Sequence, residues 1–203
     1  MRAVITEADI PAAAGEMAIP AGSIVTPSAR ELARDRGVVL RELAAGQPAA
    51  APLPERSIAI GSDHGGFRMK QALLPVLAEL GLSVSDVGVH EEKPADYPDI
   101  ALAVARLVAS GVAARGVIVD GAGIGSAMAA NKVAGIRAAL CYDVASARNS
   151  REHNNANVLT LGGRLLTESQ AETVLRTWVQ TPFAGGRHQA RVDKIMEIEK
   201  LRS

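Results

Sequence analysis

The sequence predicts an α/β protein built on a doubly wound, parallel sheet, with a small module at its N-terminus. Two observations carry this prediction. From residue 56 onward, short segments rich in apolar residues alternate with helical segments, and glycine and aspartate lie in the turns between them. Before that point, GQPAAAPLPE has no strand or helix periodicity and is typical of a semi-rigid linker. The chain therefore divides into a module (1–45), a linker (46–55) and a body (56–203).

The module is expected to contain two strands and one helix. The segments AVIT and VVLREL are the predicted strands. Between them, TPSARELARDRG is a predicted helix, because Thr26 suits the N-cap, Pro27 the first helical position and Gly37 the position after the last turn. About 45 residues bury little apolar surface alone, so we expect the module to dock on the body, on a partner or on copies of itself.

The body alternates predicted strands and helices. The strands are SIAIGSD, LSVSDVG, GVIVD, IRAALCY and ANVLTLGG, short runs that are mostly apolar. The helices are GFRMKQALLPVLAELG, DYPDIALAVARLVASG, SAMAANKV, DVASARNSREHN, TESQAETVLRTWVQT and HQARVDKIMEIEKLR. The first of these helices is predicted to end at Gly81, and Pro75 within it predicts a kink. Thr167 is the predicted N-cap of the fifth helix. Ligands of such sheets bind beyond the carboxyl ends of the strands, so we expect functional residues there.

Composition excludes several classes of function. Lys+Arg and Asp+Glu are both 22 and aromatic residues make up 2%, so neither a basic field nor a stacking surface for nucleic acid is expected. No run approaches the roughly 18 apolar residues of a membrane span, and the N-terminus lacks a secretory apolar region, so a cytoplasmic location is expected. The single cysteine, Cys141, is expected in the core. The four histidines lack metal-ligand spacing, so no metal site is expected.

The stretch GVIVDGAGIGSAMAANK (116–132) places Asp120 at the end of an apolar strand and then three glycines, Gly121, Gly123 and Gly125. Glycines let the backbone approach a ligand closely, and the N–H groups that enter the next helix form an anion site. The alternative is an ordinary tight turn. A dinucleotide fingerprint needs G-x-G-x-x-G after the first strand, whereas this loop has G-x-G-x-G after the third.

Two further motifs carry candidate binding residues. In GSDHGGF, Asp63 either caps the following helix or contacts a ligand, and His64 beside it is suited to a hydroxyl or a phosphate. In SREHNNAN, His153 and Asn154 lie near a helix C-terminus, where a solvated histidine is the alternative.

A third motif, GGRHQARVDKI, spaces Arg187 and Arg191 four residues apart, so one face of a helix is predicted to present both. Paired arginines suit a phosphate. The alternative is a solvated face, or ion pairs to acidic neighbours.

Together these motifs resemble the ribose-5-phosphate isomerase B family, which includes the galactose-6-phosphate isomerase subunits. The resemblance rests on IAIGSDHGGF, DYPD, GAGIGSAMAANKVAGIRAALCYD, REHNNANVLTLGGR and GGRHQARVDKI, and it covers about residues 56–200. It implies a Rossmann-like three-layer α/β/α fold with a five-stranded parallel sheet and no cofactor. It also implies a homodimer or homotetramer with shared active sites, and interconversion of aldose and ketose phosphates, such as ribose 5-phosphate and ribulose 5-phosphate, through an enediolate.

The resemblance also assigns roles to residues. His153 assists ring opening as acid and base, Arg164 joins the site from the other subunit, and the backbone N–H groups of the glycine loop hold the developing oxyanion. The substrate-binding residues are expected to be Asp63, His64, Tyr97, Gly121, Gly123, Gly125, Asn154, Arg164, Arg187 and Arg191.

This chain departs from the family at the proton-transfer position. Most members have Cys-Gly-Thr-Gly where this chain has Asp-Gly-Ala-Gly, so Asp120 and Ala122 replace the usual base and its supporting threonine. A second branch uses a glutamate after the loop, where this chain has Ser126. Asp120 is therefore the only evident candidate base. Three interpretations stay open: an active isomerase, a non-catalytic homologue that binds sugar phosphates, and a subunit that needs a catalytic partner.

The module contains a second, shorter resemblance. Its pattern VTP-x-AR-x-x-A-x-x-x-G is similar to N-terminal segments of bacterial microcompartment proteins. This implies that residues 1–45 recruit the protein as cargo, or contact a shell or another enzyme, inside such a compartment. The alternative is an extension that only stabilises the oligomer.

Overall fold

A computed structural model describes residues 4–11, 15–19, 23–42 and 56–202. The chain forms two compact units, Met1–Ala51 and Pro52–Ser203. The predicted linker, 46–55, lies outside the described residues.

In the first unit, the described residues form two small parallel strand pairs and one α-helix. Its elements are β1 (Val4–Ile5), β2 (Gly15–Ile19), β3 (Ile24–Val25), α1 (Pro27–Asp35) and β4 (Val38–Glu42). Strand β1 pairs with β3, and β2 pairs with β4. Helix α1 begins as predicted, because the Thr26 hydroxyl accepts a hydrogen bond from the Ala29 N–H at 3.2 Å. Strands β2 and β3 were not predicted. The unit has its own apolar core, formed by Ile5, Ile10, Ile19, Ala29, Ala33 and Val38.

The second unit confirms the predicted five-stranded parallel sheet. Its strands are β5 (Ser57–Ser62), β6 (Ser83–Asp86), β7 (Arg115–Asp120), β8 (Ala138–Leu140) and β9 (Val158–Gly162). Its helices are α2 (Phe67–Glu79), α3 (Tyr97–Ala109), α4 (Ile124–Ala130), α5 (Val144–Glu152), α6 (Glu168–Gln180) and α7 (Gln189–Glu199). The sheet order is β6-β5-β7-β9-β8, and every neighbouring pair is parallel.

Helices cover both faces of this sheet, which makes three layers. Alternate residues of a strand point to opposite faces, and in β7 the Val117 and Val119 side chains join one buried cluster while Ile118 joins the other. Helices α2, α5 and α6 pack on the first cluster, and α3 and α4 on the second. The three inner strands, β5, β7 and β9, therefore bring their carboxyl ends to one edge of the sheet.

The single cysteine, Cys141, is fully buried in the first cluster, as expected. Burial raises the pKa of its thiol. In the described parts of the chain no helix is both long and apolar enough to cross a membrane. Among those same residues, no three acidic, histidine or cysteine side chains converge as a metal site.

Candidate active site

The loops after β5, β7 and β9 meet at the carboxyl edge of the sheet. The Gly163 N–H donates to the backbone oxygen of Asp120 at 2.7 Å, and the Arg164 N–H donates to that of Gly121 at 3.0 Å. An added Cβ at Gly121 would lie 3.7 Å from the Arg164 Cδ, so that arginine packs over the glycine loop. The neighbouring strands thus assemble Asp63, Asp120 and Arg164 within one chain.

These loops line an open cleft of about 390 Å³. Its lining residues are His64, Gly65, Arg68, Glu92, Gly163 and Arg164. The His64 Nδ1 accepts a hydrogen bond from the Ala95 N–H at 3.4 Å, so Nε2 is the nitrogen left for a ligand. Arg164, which the resemblance assigned to the site of the other subunit, lines the cleft of its own chain beside His64, and its role across subunits stays a prediction.

Arg68 and Glu92 are cleft residues that sequence reasoning missed. They form an ion pair of 2.6 Å across the cleft wall. Arg68 is the second residue of α2, directly after the GSDHGGF motif, and this position was the available signal. Because the Glu92 carboxylate offsets the charge of Arg68, Arg164 is the cationic side chain of the cleft lining without an acidic partner among the ion pairs of the described residues.

The carboxylate of Asp120 is held by its own loop. The side chain is 5% exposed. Its Oδ1 accepts hydrogen bonds from the N–H groups of Ala122, at 2.7 Å, and Gly123. Its Oδ2 accepts from the Ser126 N–H, at 3.0 Å, and from the Ser126 hydroxyl. The anion that this loop holds is therefore the carboxylate at the end of β7.

This arrangement changes the expected role of the glycine loop. Three of the backbone N–H groups expected to hold an external oxyanion donate to Asp120 instead. Gly123 makes this geometry possible, because its φ of +79° is in the left-handed region that favours glycine. A carboxylate offers about four lone-pair sites, so four donors occupy the whole acceptor capacity of Asp120.

The other predicted cleft residues have mixed roles. The Asp63 Oδ1 accepts from the Gly66 N–H at 2.9 Å, so this carboxylate shapes the turn before α2. Tyr97 lies against the glycine loop, where an added Cβ at Gly125 would be 2.5 Å from its ring. Tyr142, which sequence reasoning missed, donates its hydroxyl to the backbone oxygen of Ala122 at 2.8 Å. Tyr142 follows an apolar strand, and nothing in that local sequence predicts its contact with the glycine loop.

A second group of predicted residues gathers at the end of α5. The His153 and His188 rings stack in parallel, with centroids 4.2 Å apart and an interplanar angle of 8°. The His153 Nδ1 lies 2.8 Å from the side-chain amide nitrogen of Asn149. The charges of Arg187 and Arg191 reach His188, on which both act electrostatically.

The placement of Arg187 corrects one prediction. One helix was expected to present both arginines, but α7 begins only at Gln189, and Arg187 lies in a preceding 3-10 turn, Gly186–His188. Gly185 and Gly186 at the start of that turn both have positive φ, which is outside the right-handed helical region, so α7 does not extend back through them.

The second group is separate from the cleft. Asn154 lines a different cavity, of about 260 Å³, together with Asn131, Arg137 and Ile195. Between residues 56 and 202, no hydrogen bond, ion pair or ring contact joins His153, Arg187 or Arg191 to the cleft residues. Within one chain, the described residues of the expected site therefore form two groups with no direct contact between them.

A family model described as Ribose/Galactose Isomerase matches residues 58–195. The chain belongs to this family. The resemblance inferred from the motifs is confirmed, and the N-terminal unit lies outside the matched range.

Similar proteins in the ribose/galactose isomerase family include named sugar-phosphate isomerases. Ribose-5-phosphate isomerase B of Escherichia coli is 41% identical over 148 residues, covering 73% of this chain and 99% of that protein. D-erythrulose-4-phosphate isomerase of Pectobacterium atrosepticum is 39% identical over 141 residues, covering 68% and 92%. The structure of Clostridium thermocellum ribose-5-phosphate isomerase B aligns with a TM-score of 0.71 at 48% identity, covering 72% and 99%.

In this family member a buried arginine supports the loop that carries His153 and Asn154. The Arg151 guanidinium donates to the backbone oxygens of Ala156 and Thr181 and lies 5.4 Å from the Trp178 ring centre. Burial lowers the pKa of Arg151 to about 10, so the group is still cationic at pH 7. It ties α5, the loop and the end of α6 together.

We expect Arg151→Met to lower the free energy of unfolding by about 2–4 kcal/mol, because buried carbonyl oxygens lose their donor. Urea denaturation followed by circular dichroism measures this change. Arg148→Met is the matched control, since Arg148 is an exposed arginine on the same helix. Equal stability of the two variants would contradict the supporting role.

Proposed function

We propose that this protein is an aldose–ketose isomerase that acts on a small sugar phosphate of the ribose 5-phosphate and ribulose 5-phosphate type. The observation that carries the proposal is the position of Asp120. It ends the central strand of the sheet, at the edge where His64 and Arg164 line the cleft. Membership of a family that contains several named sugar-phosphate isomerases supports the same reaction class.

The phosphate of the substrate needs cationic partners. Within one chain the cleft offers Arg164 and the free nitrogen of His64. We propose that Arg187 and Arg191 of a second copy complete the site, so that the working unit is a homo-oligomer with shared sites. The separation of the two residue groups on one chain supports this assembly, because neither group alone has all the expected parts.

The proposed reaction moves one proton between adjacent carbons. A base removes the proton from C2 of the aldose, the C–H electrons form the C1–C2 double bond of an enediolate, and the carbonyl oxygen takes the negative charge. A proton then passes from the base to C1, while O1 gains a proton and the C2 hydroxyl loses one, so that a C2 carbonyl forms and the product is the ketose. Asp120 serves as the base in this proposal, and carboxylates do perform such sugar-phosphate isomerisations.

Asp120 must free one oxygen before it can accept a proton. Three of its four donors are backbone N–H groups, which the loop conformation fixes. The fourth is the Ser126 hydroxyl, which can rotate about a single bond. We therefore assign to Ser126 the release of Oδ2 when substrate binds.

A second candidate function has a specific observation in its favour. Four hydrogen bonds already occupy the acceptor sites of Asp120. A carboxylate used in this way is suited to shaping the loop of a protein that binds sugar phosphates without converting them. A subunit that needs a catalytic partner would have the same appearance.

Incubation of the full chain with ribose 5-phosphate or ribulose 5-phosphate, followed by NMR, tests the proposal. Interconversion of the two sugars supports an isomerase. Heat of binding in calorimetry without conversion supports the second candidate. The absence of both binding and conversion with pentose and tetrose phosphates would contradict the proposed substrate class.

We further propose that residues 1–45 attach the protein to a bacterial microcompartment. The compact apolar core of the first unit is suited to a separate docking module. Fluorescent fusions of the full chain and of residues 46–203, expressed in cells that form such compartments, test this role. Bright foci that depend on residues 1–45 support attachment, and equal diffuse signals contradict it.

A further inference from the structure

Neighbouring residues fix both rings of the stacked pair, His153 and His188. His153 ends α5, and its Nδ1 is engaged by Asn149 at 2.8 Å, which leaves Nε2 for a substrate. His188 is 8% exposed, and its backbone N–H donates to the Gly185 oxygen at 3.0 Å. The Arg187 Nε lies 3.5 Å from the His188 Nε2. The resulting parallel stack fixes two rings relative to each other.

The chain segments that carry the two rings are also joined. The Ala184 N–H donates to the backbone oxygen of Glu152 at 3.0 Å, directly beside the stack. The turn that follows uses Gly185 and Gly186, with φ of +61° and +55°. An added Cβ would meet nothing within 4 Å at either glycine, so backbone conformation and not space calls for glycine there.

A stacking partner matters because the last torsion of a histidine side chain is broad and roughly two-fold. His153 is only half-buried, so its own surroundings leave the ring plane incompletely defined. We propose that His188 is a positioning residue, which fixes the plane of the His153 imidazole by stacking on it and so serves the opening of cyclic sugar phosphates. This inference rests on the proposed isomerase function.

Ring opening is a balanced proton relay. In the furanose form of ribose 5-phosphate, the C1 hydroxyl loses a proton, the C1–O4 bond breaks with its electrons moving to O4, and C1 becomes a carbonyl. O4 gains a proton, so none is consumed overall. His153 carries this proton through Nε2, and a rotated ring would place that nitrogen away from both oxygens.

The charges around the stacked histidines favour a neutral His188. Burial lowers the pKa of His188, the charges of His153, Arg187 and Arg191 lower it further, and Glu152 acts in the opposite direction. His188 is therefore neutral at pH 7. The stack then holds one imidazole, that of His188, that stays neutral beside His153.

The test compares two substrates of one reaction. Ribose 5-phosphate binds as a ring, whereas ribulose 5-phosphate is acyclic because its fifth oxygen is phosphorylated. We expect His188→Ala to lower kcat/KM for ribose 5-phosphate on the order of 10- to 100-fold. Deuterium uptake from heavy water into ribulose 5-phosphate, which reports enolisation alone, should change little. His188→Phe, which keeps a stacking ring, should restore most of the lost activity.

Gln189→Ala is the matched control, because Gln189 is the exposed neighbour of His188 and its side-chain amide donates to the Asp193 carboxylate on the same helix. Equal losses in both assays for His188→Ala would indicate a merely structural role and overturn the inference. A wild-type protein that converts only acyclic tetrose phosphates would also overturn it. Wild-type inactivity in both assays contradicts the proposed function instead. In that case, the NMR signals of the His153 ring test the positioning role. Chemical shifts that are the same in His188→Ala as in the wild type would contradict it.

Discussion

Asp120→Asn is expected to lower kcat for sugar-phosphate isomerisation by about 10²- to 10⁴-fold, because an amide cannot accept the transferred proton. The substituted side chain has nearly the same shape. It would, however, set an amide N–H₂ against donors that now bind a carboxylate oxygen. A spectrophotometric assay of ribulose 5-phosphate formation, with thermal melting as a fold control, measures the effect.

The Asp120→Cys variant distinguishes two explanations for a loss of activity in Asp120→Asn: the loss of the catalytic base, and a disturbed conformation of the glycine loop. The motif resemblance implies a cysteine base at this position in most family members, so we propose that a thiolate there recovers turnover if the rest of the site is competent. Ala122→Thr, added to this variant, introduces the threonine that the same resemblance implies. An Asp120→Asn protein that melts like the wild type and keeps full turnover would exclude Asp120 as the base.

Mixed dimers are expected to recover activity that two defective proteins lack. We pair an Asp120→Asn chain with an Arg187→Ala/Arg191→Ala chain, each carrying a different affinity tag, and purify the heterodimer through both tags. If sites are shared, one of its two sites contains an intact Asp120 and intact arginines. Turnover should then approach roughly half that of the wild type per dimer.

The two parent homodimers are the controls for this experiment, and each should be strongly impaired. A heterodimer as inactive as its parents would show that each site draws all its residues from one chain. That result would contradict the shared site. It would not contradict the isomerase proposal, which the Asp120 variants test separately.

The body of the fold was predictable because its signals are local and agree with one another. Short apolar runs marked all five strands, four of them ending in glycine or aspartate, and Thr26 and Thr167 marked two helix starts that the structure has. Strand β2 was missed because GEMAI contains a glycine, an alanine and only one β-branched residue. Its pairing with β4 depends on tertiary contacts that a local pattern does not record.

Some of the candidate residues at the carboxyl edge of the sheet were predictable from motifs, but their geometry was not. The motifs identified His64, Asp120 and Arg164, whereas the direction of the Asp120 carboxylate depends on side-chain torsions. One signal was present, since aspartate commonly accepts hydrogen bonds from backbone N–H groups two and three residues later. Arg68 and Glu92 are 24 residues apart and meet in the cleft because of the path of the loop that carries Glu92. Sequence spacing does not reveal that path.

The burial of Cys141 has a consequence for chemical sensitivity. An isomerase that relies on a thiolate is open to alkylation and oxidation at its reactive centre, since both reactions require an accessible sulfur anion. Here the only cysteine is fully enclosed in the core and has a raised pKa. If Asp120 is the base, as proposed, we expect the protein to keep its turnover at concentrations of peroxides and electrophilic aldehydes that inactivate a cysteine-dependent isomerase.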